Sequence, residues 1–217
     1  PKFNQRYIIS IVKKLLICSH ICSYNIIKIK MIPLKNKKKS LEFTVSEIRD
    51  FSLKYIEKYS PSKQQLRTYL LKKYLKSGST NMKKDNYQNL IDIVLSDLEQ
   101  SKFINDQFYS ESKAKNLIQR GSSINKIRSY LISKGVKDKF VKETLDKIKE
   151  NNDDQDFFSA IKLCKKKKIG PHRSEDNRPI FFKKDIGILA RNGFSFETSK
   201  RIMDLSKDEY DKIIRLL

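Results

Sequence analysis

From residue 45 onward the apolar positions recur at spacings of three and four. Between 46 and 59 they are Ile48, Phe51, Tyr55, Ile56 and Tyr59, one face of an amphipathic helix. Ser46 can cap its start. Ser60-Pro61 ends it, because proline has no amide proton and restricts the residue before it. Ser62 then caps a second helix with Leu66, Tyr69, Leu70 and Tyr74 on one face. A third, at about 86–100, carries Leu90, Ile91, Val94, Leu95 and Leu98. The same reading predicts helices over about 105–121 (capped by Asn105, with Phe108, Leu117 and Ile118 apolar), 123–134 and 138–149. Further on it predicts a helix through Phe157, Phe158, Ile161 and Cys164 that Asp153 or Asp154 can cap, then helices at 181–192 and 196–205. No strand-like alternation bounded by turn residues occurs.

The pattern repeats internally. Ser62 to Lys73 aligns without gaps on Ser123 to Lys134, with Ser62/Ser123, Arg67/Arg128, Tyr69/Tyr130, Leu70/Leu131 and Lys73/Lys134 identical. A fainter third copy aligns Leu131, Gly135 and Val136 with Leu189, Gly193 and Phe194. These glycines fall just past helix ends, where a left-handed residue closes a helix without a Cβ clash. The expectation is an all-α protein of three tandem three-helix, helix-turn-helix-like repeats. Short helices are marginal alone, so the units should stack as an elongated array. The boundaries read as 45–101 with an inserted polar loop at 76–85, 102–151, and 152–217 with an irregular loop at 170–179.

Charge and composition narrow the function. The 217 residues hold 47 Lys or Arg against 25 Asp or Glu, a net +22. Residues 1–40 contribute ten basic residues and no acid. Lysine also tracks an Ile- and Asn-rich composition, so raw charge is weak evidence, although a polyanion-attracting patch is expected. Six Gly, with neither G-x-G-x-x-G nor G-x-x-x-x-G-K-[ST], argue against a phosphate-cradling loop. Two His, and no Ser/His/Asp order or distinctive carboxylate pair, point away from an enzyme and from a metal or other cofactor. Three Cys make no disulfide framework, which reads as a cytoplasmic protein, and no long apolar run suggests a membrane span. Cys18, His20 and Cys22 only superficially resemble metal ligands. Residues 1–44 read as a basic extension, with Met31 the expected natural start and residues 1–30 translated upstream sequence.

The order of these motifs resembles the RecX family of bacterial regulatory proteins, which is built from three tandem three-helix repeats. The resemblance spans about 46–205. It rests on Phe103-Ile-Asn-Asp-Gln-Phe-Tyr, Gln119-Arg-Gly121, Ile127-Arg128, Tyr130-Leu131 and Lys134-Gly135-Val136. Ser62, Leu66, Arg67 and Leu70 in the first unit, and Leu189, Arg191, Gly193 and Phe194 in the last, extend it. The first unit departs from the pattern by lacking a glycine turn directly after its second helix. The resemblance implies a non-enzymatic modulator of recombination and DNA repair in the SOS response. Such a protein binds the RecA recombinase and its filament on single-stranded DNA, and opposes filament extension, strand exchange and ATP hydrolysis. Weak non-specific binding to single- or double-stranded DNA and a monomeric state go with that reading. The alternative is a sequence-dependent DNA-binding regulator that inserts a helix into a groove.

Candidate filament or DNA contacts are Lys113, Lys115, Arg120, Lys126, Arg128, Lys165, Lys166, Lys167, Lys168 and Arg173. The four-lysine run would equally complement a helix dipole as a solvated face. Arg67 and Arg128 recur at equivalent positions, which fits structural pairing or bidentate recognition. Tyr69 and Tyr130 fit core positions with a wet hydroxyl better than base-stacking platforms.

Overall fold

The computed structural model describes residues 44–76, 84–152 and 154–217. The expectations for Met31, for Cys18, His20 and Cys22, and for most of the 76–85 loop lie outside these residues. The described residues form ten α-helices, one 3₁₀ turn at Gly170–His172 and no strand. The helices are α1 Val45–Tyr59, α2 Lys63–Lys76, α3 Lys84–Gln100, α4 Asp106–Gln119 and α5 Ile124–Ser133. They continue as α6 Asp138–Asn151, α7 Gln155–Lys167, α8 Asn177–Arg191, α9 Phe196–Met203 and α10 Lys207–Leu216.

Three separate cores account for the arrangement. Ile48, Leu66, Leu70, Ile91 and Leu95 form the first, between α1, α2 and α3. Tyr109, Ala114, Ile127, Leu131, Val141 and Leu145 form the second, between α4, α5 and α6. Phe157, Ile161, Cys164, Leu189, Ile202 and Tyr210 form the third, between α7, α8, α9 and α10. Each helix buries one stripe within one of these clusters, which join three helices in the first two and four in the third. The units share no common interior.

Local differences from the sequence reading have simple causes. Thr44, not Ser46, caps α1 by accepting the Glu47 amide at 3.2 Å. Asp154 precedes α7 but makes no cap bond; its carboxylate instead pairs with Arg201 at 2.9 Å. The predicted 170–179 loop is shorter, because α8 begins at Asn177 and takes Pro179 into its first turn. The amide missing there has no helical acceptor in any case. Phe108 is not on the buried face of α4; it is 68% exposed, and Tyr109 and Ala114 point inward in its place. The tenth helix, α10, goes beyond the nine expected. A capping box starts it: the Ser206 hydroxyl accepts the Glu209 amide while the Glu209 carboxylate accepts the Ser206 amide.

Candidate functional site

The units are held by a joint that occurs twice with the same atoms. Ser62, ahead of α2, accepts the Gln65 amide at 3.2 Å through its side-chain oxygen and donates its hydroxyl proton to the Lys134 carbonyl, 2.7 Å away at the end of α5. Ser123, ahead of α5, accepts the Lys126 amide at 3.1 Å and donates to the Asn192 carbonyl, 2.7 Å away at the end of α8. Asp106, from the first turn of α4, accepts the Lys63 amide at 2.8 Å. Asp156, from the first turn of α7, accepts the Ile124 amide at 2.8 Å.

In each joint the amide end of one unit's second helix therefore meets the carbonyl end of the next unit's second helix. The partial charges of the two helix ends oppose each other favourably. Both carboxyls have pKa values raised chiefly by burial, against the lowering effect of the amide each accepts.

Two glycines make the approach possible. A Cβ on Gly135 (φ +71°) would lie 2.4 Å from the Gln64 Cβ. A Cβ on Gly193 (φ +88°) would lie 2.6 Å from the Ser123 hydroxyl. Both residues also sit in the left-handed region that only glycine occupies cheaply.

The candidate contact residues fall into two groups. Lys115, Arg120, Arg128, Lys165, Lys166, Lys167 and Lys168 are exposed, and none forms an ion pair with a described residue. Lys165–Lys167 close the last turn of α7, and Lys168 follows in a left-handed conformation with φ +54°. Lys113 is half-buried, its Nζ 5.5 Å from the Tyr109 ring centroid.

The second group is tied into the fold. Lys126 donates to the Asn192 side-chain oxygen at 2.7 Å and so belongs to a joint. Arg173 forks onto Asp185 at 2.7 and 3.0 Å and lies 4.4 Å from the Phe181 ring centroid. Asp185 is fully buried and also accepts the Gly170 amide at 2.8 Å, so this pair anchors the turn into α8. Asp185 carried no sequence signal.

The two repeated arginines diverge. Arg67 forms a two-pronged pair with Asp92 on α3 at 2.7 and 2.9 Å, whereas Arg128 has no such carboxylate. Tyr69 stacks on Tyr55 with centroids 4.0 Å apart and planes at 17°, so its ring is already covered on one face. Tyr130 is half-buried, with the Lys134 Nζ 5.2 Å from its ring centroid.

No group of three His, Cys, Asp or Glu among the described residues could hold a metal ion. Burial in the third core pushes the Cys164 thiol up to about 12, far from a reactive thiolate. No helix among the described residues is long and apolar enough to cross a membrane.

No protein-family model matches the chain. It is 27% identical over 177 residues to the regulatory protein RecX of Myxococcus xanthus, covering 78% of this chain and 91% of that protein. It is 28% identical over 114 residues to the regulatory protein RecX of Agrobacterium fabrum, covering 52% and 58%. In fold it resembles the crystal structure of RecX from Lactobacillus salivarius, with a TM-score of 0.51 and 18% identity over 80% of this chain and 96% of that one. A second RecX crystal structure gives a TM-score of 0.51 and 16% identity, covering 74% of each chain. The motifs quoted above, the curated relatives and the shared all-α repeat architecture point one way: in sequence and in fold the chain is similar to the RecX regulatory proteins.

Proposed function

We propose that this chain is a RecX-like regulator acting in the cytoplasm on the RecA recombinase. It binds RecA and its filament on single-stranded DNA, limits filament extension, and thereby depresses strand exchange and ATP hydrolysis without catalysing a step itself. The units are proposed to span 45–101, 102–151 and 152–217. The observation that carries this reading is the twice-used joint. It lines up the second helices of the three units and spreads the exposed basic residues over more than one unit, so a repetitive polymer can be met at several points. Weak contacts made together reinforce one another through effective concentration.

The lysines of the α7 terminus, with Lys115, Arg120 and Arg128, are proposed contacts to phosphate or to acidic filament surface. The joint also bears on the alternative of groove insertion. Helix-turn-helix proteins read bases with the amino-terminal residues of the second helix. Here the amino-terminal ends of α2 and α5 are occupied by Asp106 with Lys134 and by Asp156 with Asn192.

The test is RecA-driven, single-strand-dependent ATP hydrolysis with this protein added below the RecA concentration. A progressive fall in rate is expected. An unchanged rate together with no association with the filament would overturn the reading, and tight sequence-dependent duplex binding would favour the alternative.

A further inference from the structure

Histidine is the side chain whose ordinary pKa lies near neutral pH. Of the two in the chain, His172 is among the described residues, in the 3₁₀ turn Gly170–His172. That turn packs against α7, α8, α9 and α10. The imidazole meets the buried ring of Tyr210 edge-on, with centroids 6.0 Å apart and planes at 78°. Its Nδ1 lies 3.4 Å from the Tyr210 hydroxyl, which leaves Nε2 as the nitrogen able to meet a ligand. Lys207, the first residue of α10, holds its Nζ 5.4 Å from the same ring centroid. Imidazole and ammonium therefore flank one tyrosine. Lys165 and Lys168, three positions apart, are exposed at the end of α7, just before the turn.

The charges around the ring are unbalanced. Lys207 faces it from α10, and Lys168 and Lys165 face it from α7. Against them stands one carboxylate, Asp211, whose oxygen is 3.4 Å from the Lys207 Nζ. From α8 comes Asp185, already bonded to Arg173 and to the Gly170 amide, and from α9 the uncharged Met203. Burial keeps the Cys164 thiol and the Tyr210 hydroxyl protonated and neutral. Residues 1–43 and 77–83 hold one acid between them, Glu42, so they bring little charge to oppose the cluster. Burial first, and then the three lysines, hold the imidazole below its ordinary pKa, so it is largely uncharged near neutral pH.

We infer that His172, Lys165, Lys168 and Lys207 form a binding site for the phosphodiester backbone of nucleic acid, in which the imidazole takes a proton from solvent as a phosphate is bound. The phosphate offsets the repulsion of the lysines, so the protonated ring becomes favourable and its Nε2–H donates to a phosphate oxygen. No large apolar side chain is exposed across 164–173 or 206–211. A protein interface needs such anchors at its centre, whereas a phosphate backbone needs only clustered cations. The site rests on the α7 lysines being partner contacts, as proposed above. To that reading it adds a ligand class, two residues from other elements and a dependence on pH.

The test is anisotropy of a short rhodamine-labelled oligothymidylate with the full chain at constant ionic strength. Neither thymine nor phosphodiester titrates near neutral pH, so a pH effect there reports on the protein. Binding should be about three- to fivefold tighter at about pH 6 than at about pH 8. His172→Gln should flatten that difference and leave the affinity at the higher pH in place. Lys207→Gln should weaken binding at both. Calorimetry of the unaltered chain in two buffers of different ionisation enthalpy should show proton uptake on binding, a readout that needs no variant to fold. Equal affinity at the two pH values, no proton uptake, or a pH dependence that survives in His172→Gln would overturn the site. Tighter binding of a polyglutamate of matching charge would also overturn it, in favour of an acidic protein as the occupant. Equal affinity at the two pH values with RecA-driven ATP hydrolysis still depressed would remove the site alone and leave the recombinase reading standing.

Discussion

The first and second units are built on one plan and differ most in the charges they carry on their outer faces. Their inner register is the same: Ile91, Leu95 and Leu98 on α3 match Val141, Leu145 and Ile148 on α6 fifty positions later. Their joints use the same serine, aspartate and glycine geometry. On the outer face the charges invert, with Asp92, Asp97 and Glu99 of α3 becoming Lys142, Lys147 and Lys149 of α6. In the first unit those acids pair with Arg67, Arg49 and Lys63. In the second, Arg128 is left without an ion pair among the described residues, and Lys147 turns to Glu111 on α4 at 2.5 Å. The first unit thus pairs Arg49, Lys63 and Arg67 with acids of its own third helix, and the second leaves the equivalent Arg128 exposed. Packing constrains what units share, and exposure frees the rest to specialise.

The most damaging way to break the shared part is at a joint glycine. Gly135→Ala adds a Cβ against Gln64 and demands a left-handed alanine, so a loss of about 3 kcal/mol is expected in denaturant unfolding. A variant with wild-type stability would show that the units do not approach as closely as described.

Asp156→Ala should cost less, about 1–2 kcal/mol, by leaving the Ile124 amide without its acceptor. A cycle combining it with Ser123→Ala should reveal coupling within one joint. The acids of the two regions should also respond to pH in opposite senses. Asp106 and Asp156 have native pKa values raised above the ordinary carboxylate value, so the native state holds more protons than the unfolded chain across that window. Their contribution to stability falls as pH rises through it. The Asp92 carboxyl is held low, first by its hydrogen bond from Arg67, so its contribution is present above the ordinary value and fades as pH drops through the lowered one. Unfolding midpoints collected from about pH 3 to pH 6 should therefore change slope in opposite directions for Asp156→Asn and Asp92→Asn.

A smaller effect is expected from changing Lys165, Lys166, Lys167 and Lys168 together to Gln. Association with filament or DNA should weaken several-fold and lose part of its salt dependence, with helicity unchanged. Unaltered binding would reduce the run to a solvated helix terminus. The smallest and sharpest contrast is between the paired arginines. Arg67→Met should cost at most about 1 kcal/mol of stability, since its ion pair is partly solvated, and should leave binding alone. Arg128→Met should leave stability alone and weaken binding. The reverse pattern would sink the distinction between the paired Arg67 and the exposed Arg128.

Most of the fold was legible because short amphipathic helices write their buried stripe directly into the sequence, as Ile48, Leu66, Leu70 and Leu131 show. The repeat was legible because Ser, Arg, Tyr, Leu and Gly recur in register. The joints were not. Ser62 and Asp106 are 44 positions apart and become partners of one helix end only after two units have folded, so no local pattern announces them. The helix α10 could have been found from Ser206-x-x-Glu209 followed by Tyr210, Ile213 and Ile214, but its purpose depends on packing against α7. Arg173 looked like a free cation because its buried partner, Asp185, lies one helix away. Basic residues in a lysine-rich chain carry little information until structure shows which are already spoken for.

The proposed mode of action has three units, joined end to end, engaging several subunits of a recombinase polymer at once. The direct measurement is the saturation ratio of labelled protein on preformed RecA filaments over single-stranded DNA. Fewer than one chain per RecA subunit at saturation, with ATP hydrolysis depressed in step, is the predicted result. One chain bound to every subunit, or no saturable binding, would contradict it.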